Sequence, residues 1–369
     1  MHEINQLNLS EPRSRELCGT MEVHRRLLNV SVTYQERRAL IDNRALAYED
    51  QTRGVARSGV LVIPAVVHVV HNPAVPAQNV SMEQIQRQVE VLNEDFRANN
   101  SDASGVPPVW ADRLADCNIE FRLASRDPGG NPTDGITRTA STVPFFTTEL
   151  DDVKSRATGG ADPWPSDEYL NVWVCNDLRD GIGRVILGYA QFPGGPPTTD
   201  GVVIANFCFG KGGTAQTPFD LGRTATHEIG HWLDLRHIWG DDRGSCSGSD
   251  MVEDTPNQAD ATFNSPTFPQ ISCSNGPNGN MFMNYMDYTD DVAMFMFTKG
   301  QSRRMDACLE GARASFLAAA ASPTSHGDGE LLRLRHEVER LRQDNHNAML
   351  MLNGIRDALN SDSVNTTGG

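Results

Sequence analysis

The stretch THEIGHWLDLRHIWGD, Thr226 to Asp241, places three histidines and one glutamate at the spacing of a catalytic zinc site. His227 and His231 are i and i+4, one turn apart on one helix face. Two imidazoles so placed can bind one metal, and Glu228 beside the first can reach a water as general base. His237 follows His227 by ten residues. A continuous helix would carry it about 15 Å along the axis, and tetrahedral zinc with bonds of about 2.0–2.1 Å cannot span that. For His237 to be the third ligand, the helix must end after His231 and the chain must turn back. Asp234 stands where the longer three-histidine pattern carries glycine, and Asp, like Asn, tolerates the left-handed backbone such a turn needs. Three protein ligands leave a fourth position open, which marks a catalytic rather than a structural zinc.

The 369 residues are enough for one large domain plus additions, and 38% hydrophobic with 22% charged residues is ordinary for a globular chain. A net charge of −16 argues against nucleic acid or anionic membrane as partner. No run of about 18 apolar residues offers a membrane span. The first residues, MHEINQLNLSEPRSREL, are polar and hold no signal-peptide core. Seven cysteines are too few for a disulfide-framework miniprotein and more than a cytosolic enzyme needs.

Residues 1–57 are polar, with helices expected at Ser14–Leu28 and Tyr34–Tyr48, and end in the basic stretch DQTRGVARSG. Cys18 within them is either a core cysteine or a thiol able to occupy the open metal position, which would make 1–57 inhibitory. Gly59–His71 is a β-branched run read as a buried strand that carries His68 and His71. Ser81–Arg97 reads as an amphipathic helix capped by Ser81, with Gln84 three residues on. Asn118–Ala124, Tyr169–Cys175 and Gly201–Phe209 read as strands, the last as an edge that could pair with an extended substrate. Residues 241–285 are rich in Asn, Asp, Gly and Pro and predict an irregular lower subdomain that needs pinning. A Cys246–Cys273 disulfide would close about 26 residues and stabilise by about 3 kcal/mol. The acidic turn DMVEDTP, 250–256, is a solvated loop or a set of oxygen ligands for calcium. Thr298–Ala321 predicts one helix.

From 329 the pattern changes. Leu331, Val338, Asn345, Leu352 and Leu359 recur every seven residues, with Leu334, Leu341, Ala348 and Ile355 three residues later. These are a and d positions of a coiled coil, and the polar Asn345 favours a parallel homodimer in one register. A linker at 322–328 precedes it and a polar tail, 361–369, follows the coil at 329–360.

The zinc stretch, the later NYMDYTDD and the N-terminal CGTMEVHRRLL resemble the pappalysin family of metzincin metallopeptidases, in its small secreted microbial members. The resemblance covers about residues 14–315 and implies an α+β fold. Its parts would be a mixed-sheet upper subdomain, an irregular lower one and a helical pro-segment, to which this chain adds the coil. It implies His227, His231 and His237 as zinc ligands and Glu228 as general base. Met286 would be the floor beneath the metal and Tyr288 a stabiliser of the tetrahedral intermediate. Cys18 becomes the thiol that closes the zymogen, removed by cleavage near Arg57–Ser58. Cys246–Cys273 matches the family disulfide, and Asp254 and Thr255 become candidate calcium ligands. Some arginine-preferring relatives read that side chain with an acidic residue shortly after the methionine turn, where this chain has Asp290 and Asp291 followed by Val292. The expected whole is an extracellular zinc endopeptidase, residues 58–321, acting on proteins or peptides. The alternative is a non-catalytic assembly protein dimerised by its coil.

Overall fold

The computed structural model describes residues 17–51, 57 and 59–321. The chain divides into two units, Met1–Leu317 and Ala318–Gly369. The linker, coil and tail predicted beyond 321 lie outside the described residues, as do Ser14–Glu16 and Ser58.

The elements in order are α1 (Thr20–Val30), α2 (Val32–Gln51), β1 (Leu61–His71), α3 (Met82–Phe96), β2 (Ile119–Leu123) and β3 (Ile136–Ala140). Then come β4 (Phe146–Thr147), β5 (Leu170–Cys175), β6 (Leu178–Arg179), β7 (Gly188–Ala190), β8 (Val202–Ala205) and α4 (Arg223–Trp232). The last are β9 (Phe263–Asn264), β10 (Tyr288–Thr289), α5 (Lys299–Leu309) and α6 (Ala314–Ala321). The main sheet runs β2-β1-β5-β8-β7, with β3 also on β1. It is parallel except for β7, which runs antiparallel to β8, so the sheet is mixed as expected.

The long strand β1 serves two partners on one side, β2 along Leu61–Ala65 and β3 along Val67–His71. Every residue of β5 and β8 is buried, which is why both read as unbroken apolar runs rather than alternating ones. His68 is a core residue. Its ring stacks on Trp173 and bonds Thr137 and Asn171, and burial lowers its pKa to about 4.

Ser81 caps α3 by accepting from the N–H of Gln84. The reciprocal half of a capping box is missing there, because the Gln84 amide instead donates to the Phe209 carbonyl at 2.7 Å. This ties α3 to the loop after β8.

Three expectations are corrected. Gly201–Phe209 is not an edge: β8 pairs with β5 on one side and β7 on the other, and the last strand at that end is β7. The first helix starts at Thr20 rather than Ser14, because Leu17–Gly19 are extended against β7. The helix expected over Thr298–Ala321 is two helices. Arg313 is drawn back onto α4, donating to the Trp232 carbonyl at 2.8 Å and to both carboxylate oxygens of Asp200 at 2.7 and 2.9 Å. The chain between Glu310 and Arg313 must turn to allow this.

The lower part is irregular and pinned as expected. Cys246 and Cys273 are disulfide-bonded, with Cα atoms 5.5 Å apart. Cys18, Cys117, Cys175, Cys208 and Cys308 are free and buried.

Candidate active site

The buried helix α4 packs against α3, where the Thr226 hydroxyl donates to Asp95 at 2.7 Å, and against β7 and β8. It carries His227, Glu228 and His231, and it stops at Trp232. Asp234 takes φ +78°, and the Leu235 N–H returns to the Gly230 carbonyl at 2.9 Å. That is a left-handed C-terminal cap, and Asp fills the place glycine usually takes. The chain reverses there, as the spacing required, and brings His237 back to the first two histidines.

Nε2 of His231 lies 3.1 Å from Nε2 of His227 and 3.1 Å from Nε2 of His237. Tetrahedral zinc with bonds of about 2.0–2.1 Å holds its ligand atoms about 3.3 Å apart, so the three nitrogens stand at ligand spacing. Each Nδ1 faces an oxygen: the Tyr285 carbonyl at 2.7 Å, the Leu235 carbonyl at 2.7 Å and Asp241 Oδ1 at 2.8 Å. Carbonyls only accept, so in His227 and His231 the proton sits on Nδ1 and the Nε2 lone pair turns inward. Burial, then His237, pushes His227 down to about 3, and the same causes hold His231 well below its ordinary range. Neutral imidazoles are the form that binds metal.

Cys18 closes the group. Its sulfur and one ring nitrogen from each histidine lie within 4.8 Å of one another. Burial, then the Glu228 carboxylate, raises the Cys18 thiol well above its usual value. A cation among the histidines would reverse that balance, since a coordinating thiol is deprotonated. The thiol also points to Glu228 Oε2 at 3.4 Å, and the Thr20 hydroxyl donates to the same oxygen at 2.9 Å. Residues 17–20 run along β7: Leu187 N–H donates to Leu17 O at 2.8 Å, Gly19 N–H to Gly188 O at 2.9 Å, and Ala190 N–H to the Thr20 hydroxyl at 2.7 Å. The segment therefore covers the Glu228 carboxylate and the strand edge together.

Met286 is fully buried below α4. A Cβ added to Gly230 would meet its sulfur at 2.5 Å, so the glycine of HEIGH admits the methionine turn. That turn is fixed by two amide hydrogen bonds between Asn284 and Gln301, at 2.7 and 2.9 Å. The Tyr288 ring centroid lies 5.7 Å from that of His227 and 5.0 Å from that of His237. Trp239 stacks on His237 at 4.2 Å and meets Tyr288 edge-on at 4.7 Å. The pocket beside Glu228 is walled by Leu187, Phe219, Thr224, Thr289 and Met294. Asp291, also in that wall, accepts from the Leu221 N–H at 2.8 Å, and burial pushes its carboxyl up to about 7. The neighbouring Val292 is exposed.

Cys18, His227, Glu228, His231, His237, Met286 and Tyr288 thus gather at one place, whereas the two candidate calcium ligands do not. Asp254 accepts from the Thr298 hydroxyl at 2.6 Å and the Gly300 N–H at 2.8 Å, at the start of α5. Thr255 donates to Asp250 at 2.6 Å and to the Val252 carbonyl at 3.0 Å. Among the described residues, the one cluster of His, Cys, Asp or Glu side chains with metal-ligand spacing is that of Cys18 and the histidines. Sequence reading missed Thr20, Trp239 and Asp241. Asp241 alone carried a local signal, four residues after His237.

The family model described as pregnancy-associated plasma protein-A matches residues 155–310. The chain is similar to an extracellular metalloprotease of Pyricularia oryzae, 33% identical over 267 residues, which are 70% of this chain and 78% of the relative. An extracellular metalloprotease of Arthroderma gypseum is 31% identical over 61% of this chain and 65% of its own. Among solved structures, mature mirolysin of Tannerella forsythia in complex with a cleaved peptide is 50% identical, with a TM-score of 0.68 over 72% of this chain and 100% of that one. A promirolysin mutant from the same organism is 45% identical, with a TM-score of 0.72 over 84% of this chain and 100% of that one. The likeness extends over most of both partners in fold and in sequence, and the chain is a metallopeptidase that belongs to the pappalysin family.

Proposed function

We propose that the chain is a zinc endopeptidase made as a zymogen, in which residues 1–57 are an inhibitory pro-segment and 58–321 the catalytic domain. The observation that carries the reading is the convergence of the Cys18 sulfur on His227, His231 and His237, beside Glu228. Bound zinc would supply Lewis acidity, lowering the pKa of water towards about 7 and polarising the scissile carbonyl. Glu228 takes the proton of the attacking water and delivers it to the leaving amine. Tyr288 donates its hydroxyl to the oxyanion. Asp241 holds His237 in its ligand tautomer, and Met286 floors the three histidines. The edge β7 offers the Gly188 carbonyl and the Ala190 N–H to an extended peptide. Those are the groups that Gly19 and Thr20 occupy, so removing the pro-segment exposes the base and the substrate edge at once.

The relatives are extracellular proteins, and secretion is proposed for this one. Calcium in the lower subdomain stays a proposal, with Asp254 and Thr255 engaged as described. The heptads at 329–360 would present two catalytic units as a parallel homodimer, tested by the solution mass of the full chain against a chain ending at Ala321. Arg57 is seated on Asp306 at 2.9 Å and on the Asn118 carbonyl at 2.9 Å. Cleavage after it must unseat the guanidinium, whereas cleavage before it leaves the seat intact. The test of the whole reading is to incubate the full chain with zinc, sequence the new N-terminus, and follow hydrolysis of a peptide library. The Glu228→Ala chain is expected to be inert and unprocessed. Equal hydrolysis by that variant would sink the proposal.

A further inference from the structure

The turn that ends the zinc helix is also where the second pro-segment helix is bolted on. Arg38 of α2 places Nη1 2.6 Å from Asp234 Oδ1, and Arg304 of α5 places Nη2 2.8 Å from Asp234 Oδ2. Asp42, one turn along α2, accepts from three arginines: Arg38 at 3.1 Å, Arg304 at 2.7 Å and Arg236 at 2.8 Å. Arg38, Arg304 and Asp234 are 4%, 0% and 1% exposed in their side chains. Arg38 also donates to the Pro193 carbonyl at 3.2 Å and lies 5.2 Å from the Phe192 ring, which packs edge-on against His231. None of these contacts involves Cys18 or its sulfur.

We propose that the pro-segment is held by a second lock independent of the thiol: Arg38 and Asp42 of α2 keyed between Asp234, Arg236 and Arg304 at the turn after the zinc helix. The proposal rests on the zymogen reading and adds how latency is divided. The backbone at Asp234, at φ +78°, would accept glycine. Asp brings in addition a buried carboxylate that Arg304 and Arg38 share. Asp42 is the keystone because it pairs with all three arginines, whereas Asp234 pairs with Arg38 and Arg304. Without its charge, the buried Arg38 and Arg304 are left sharing Asp234, and a buried charge that is poorly matched is costly. In the released catalytic domain Asp234 keeps Arg304, while Arg236, 28% exposed, can turn to water. The lock therefore opens without stranding a charge. Displacing Cys18 alone leaves α1 and α2 docked and Thr20 still on Glu228.

The test uses full-length chains carrying Cys18→Ala, Asp42→Asn or both, beside the parent. All four yield the same catalytic domain once processed, so differences report the pro-segment alone. The readouts are the initial rate on a quenched peptide before any processed band forms, and the half-time of processing. The intact Cys18→Ala chain is expected to work at less than about a tenth of the processed rate, and the intact double variant to approach that rate. Asp42→Asn alone is expected to shorten the processing half-time by about tenfold or more. The proposal is overturned if intact Cys18→Ala already matches the processed rate, or if Asp42→Asn processes at the parent's pace. Arg38→Met, which leaves Arg236 and Arg304 paired with Asp42, repeats the comparison where far-UV circular dichroism finds the Asp42→Asn chain unfolded. Failure of the zymogen reading looks different: processed parent no faster than intact parent.

Discussion

Replacing Asp241 probes how much of the proposed metal site is held from outside its three histidines. Its Oδ1 accepts from His237 Nδ1 at 2.8 Å, and the ring it orients also stacks on Trp239. Losing such a partner costs about 10–100-fold in metal affinity, or about 1.4–2.7 kcal/mol. The Trp239 stack keeps part of the ring orientation, which places Asp241→Ala near the middle of that range, at about 30-fold. Asp241 also sits at φ +53°. Alanine there adds about 1–2 kcal/mol of left-handed strain, but strain present with and without metal lowers stability and leaves affinity unchanged. Asp241→Asn keeps the acceptor and the tolerated backbone and loses only the charge, so it is expected within about fivefold of the parent. The assay is zinc competition against a chromophoric chelator in the full chain, in a Glu228→Ala background that stops self-cleavage. Zinc affinity of Asp241→Ala within twofold of the parent would show that the carboxylate does not set the His237 ligand.

Three further outcomes are expected. Glu228→Gln should lower kcat by about 10²–10⁴-fold while zinc content stays at parity, since the base is lost and no ligand is; zinc loss in step with activity would reassign the residue. Gly230→Ala drives a Cβ to 2.5 Å from the Met286 sulfur, so the zinc-saturated protein should lose about 1–3 kcal/mol of stability in denaturant melts; an unchanged midpoint would mean that the methionine turn yields freely. Burial raises the pKa of Asp291 to about 7. Its contribution to stability is therefore full below its unfolded value of about 3.9 and is lost as pH rises through about 7, by up to about 4 kcal/mol. Asp291→Asn should lessen the fall in stability between pH 4 and pH 8, although Asp250, raised to about 7, and Asp95 and Asp287, raised to about 6, all by burial, leave part of it. A parallel shift of both stability curves would refute that cause.

The local sequence determined what depends on near neighbours. The i, i+4 histidines, the demand that the helix end before His237, the buried runs of β1, β5 and β8, and the Ser81 cap all follow from periodicity and short-range hydrogen bonding. The family resemblance, carried by CGT, HEIGH and NYMDY, chose between the two readings of Cys18 and supplied the expected roles of Met286 and Tyr288. Tertiary structure decided whatever depends on partners distant in sequence. The strand at the sheet edge beside Glu228 is β7, three residues long and too short for any period to reveal. The apolar β8 misleads because rank in a sheet is set by pairing, not by composition. The helix after Thr298 breaks because Arg313 finds Asp200, 113 residues earlier. Thr20 reaches Glu228 across 208 residues. Asp42, an ordinary acidic residue on a polar helix in the sequence, becomes the centre of three arginines only when α2, α5 and the turn at Asp234 meet. A charge announces its sign in the sequence, but its partner, its burial and so its energy exist only once the chain has folded.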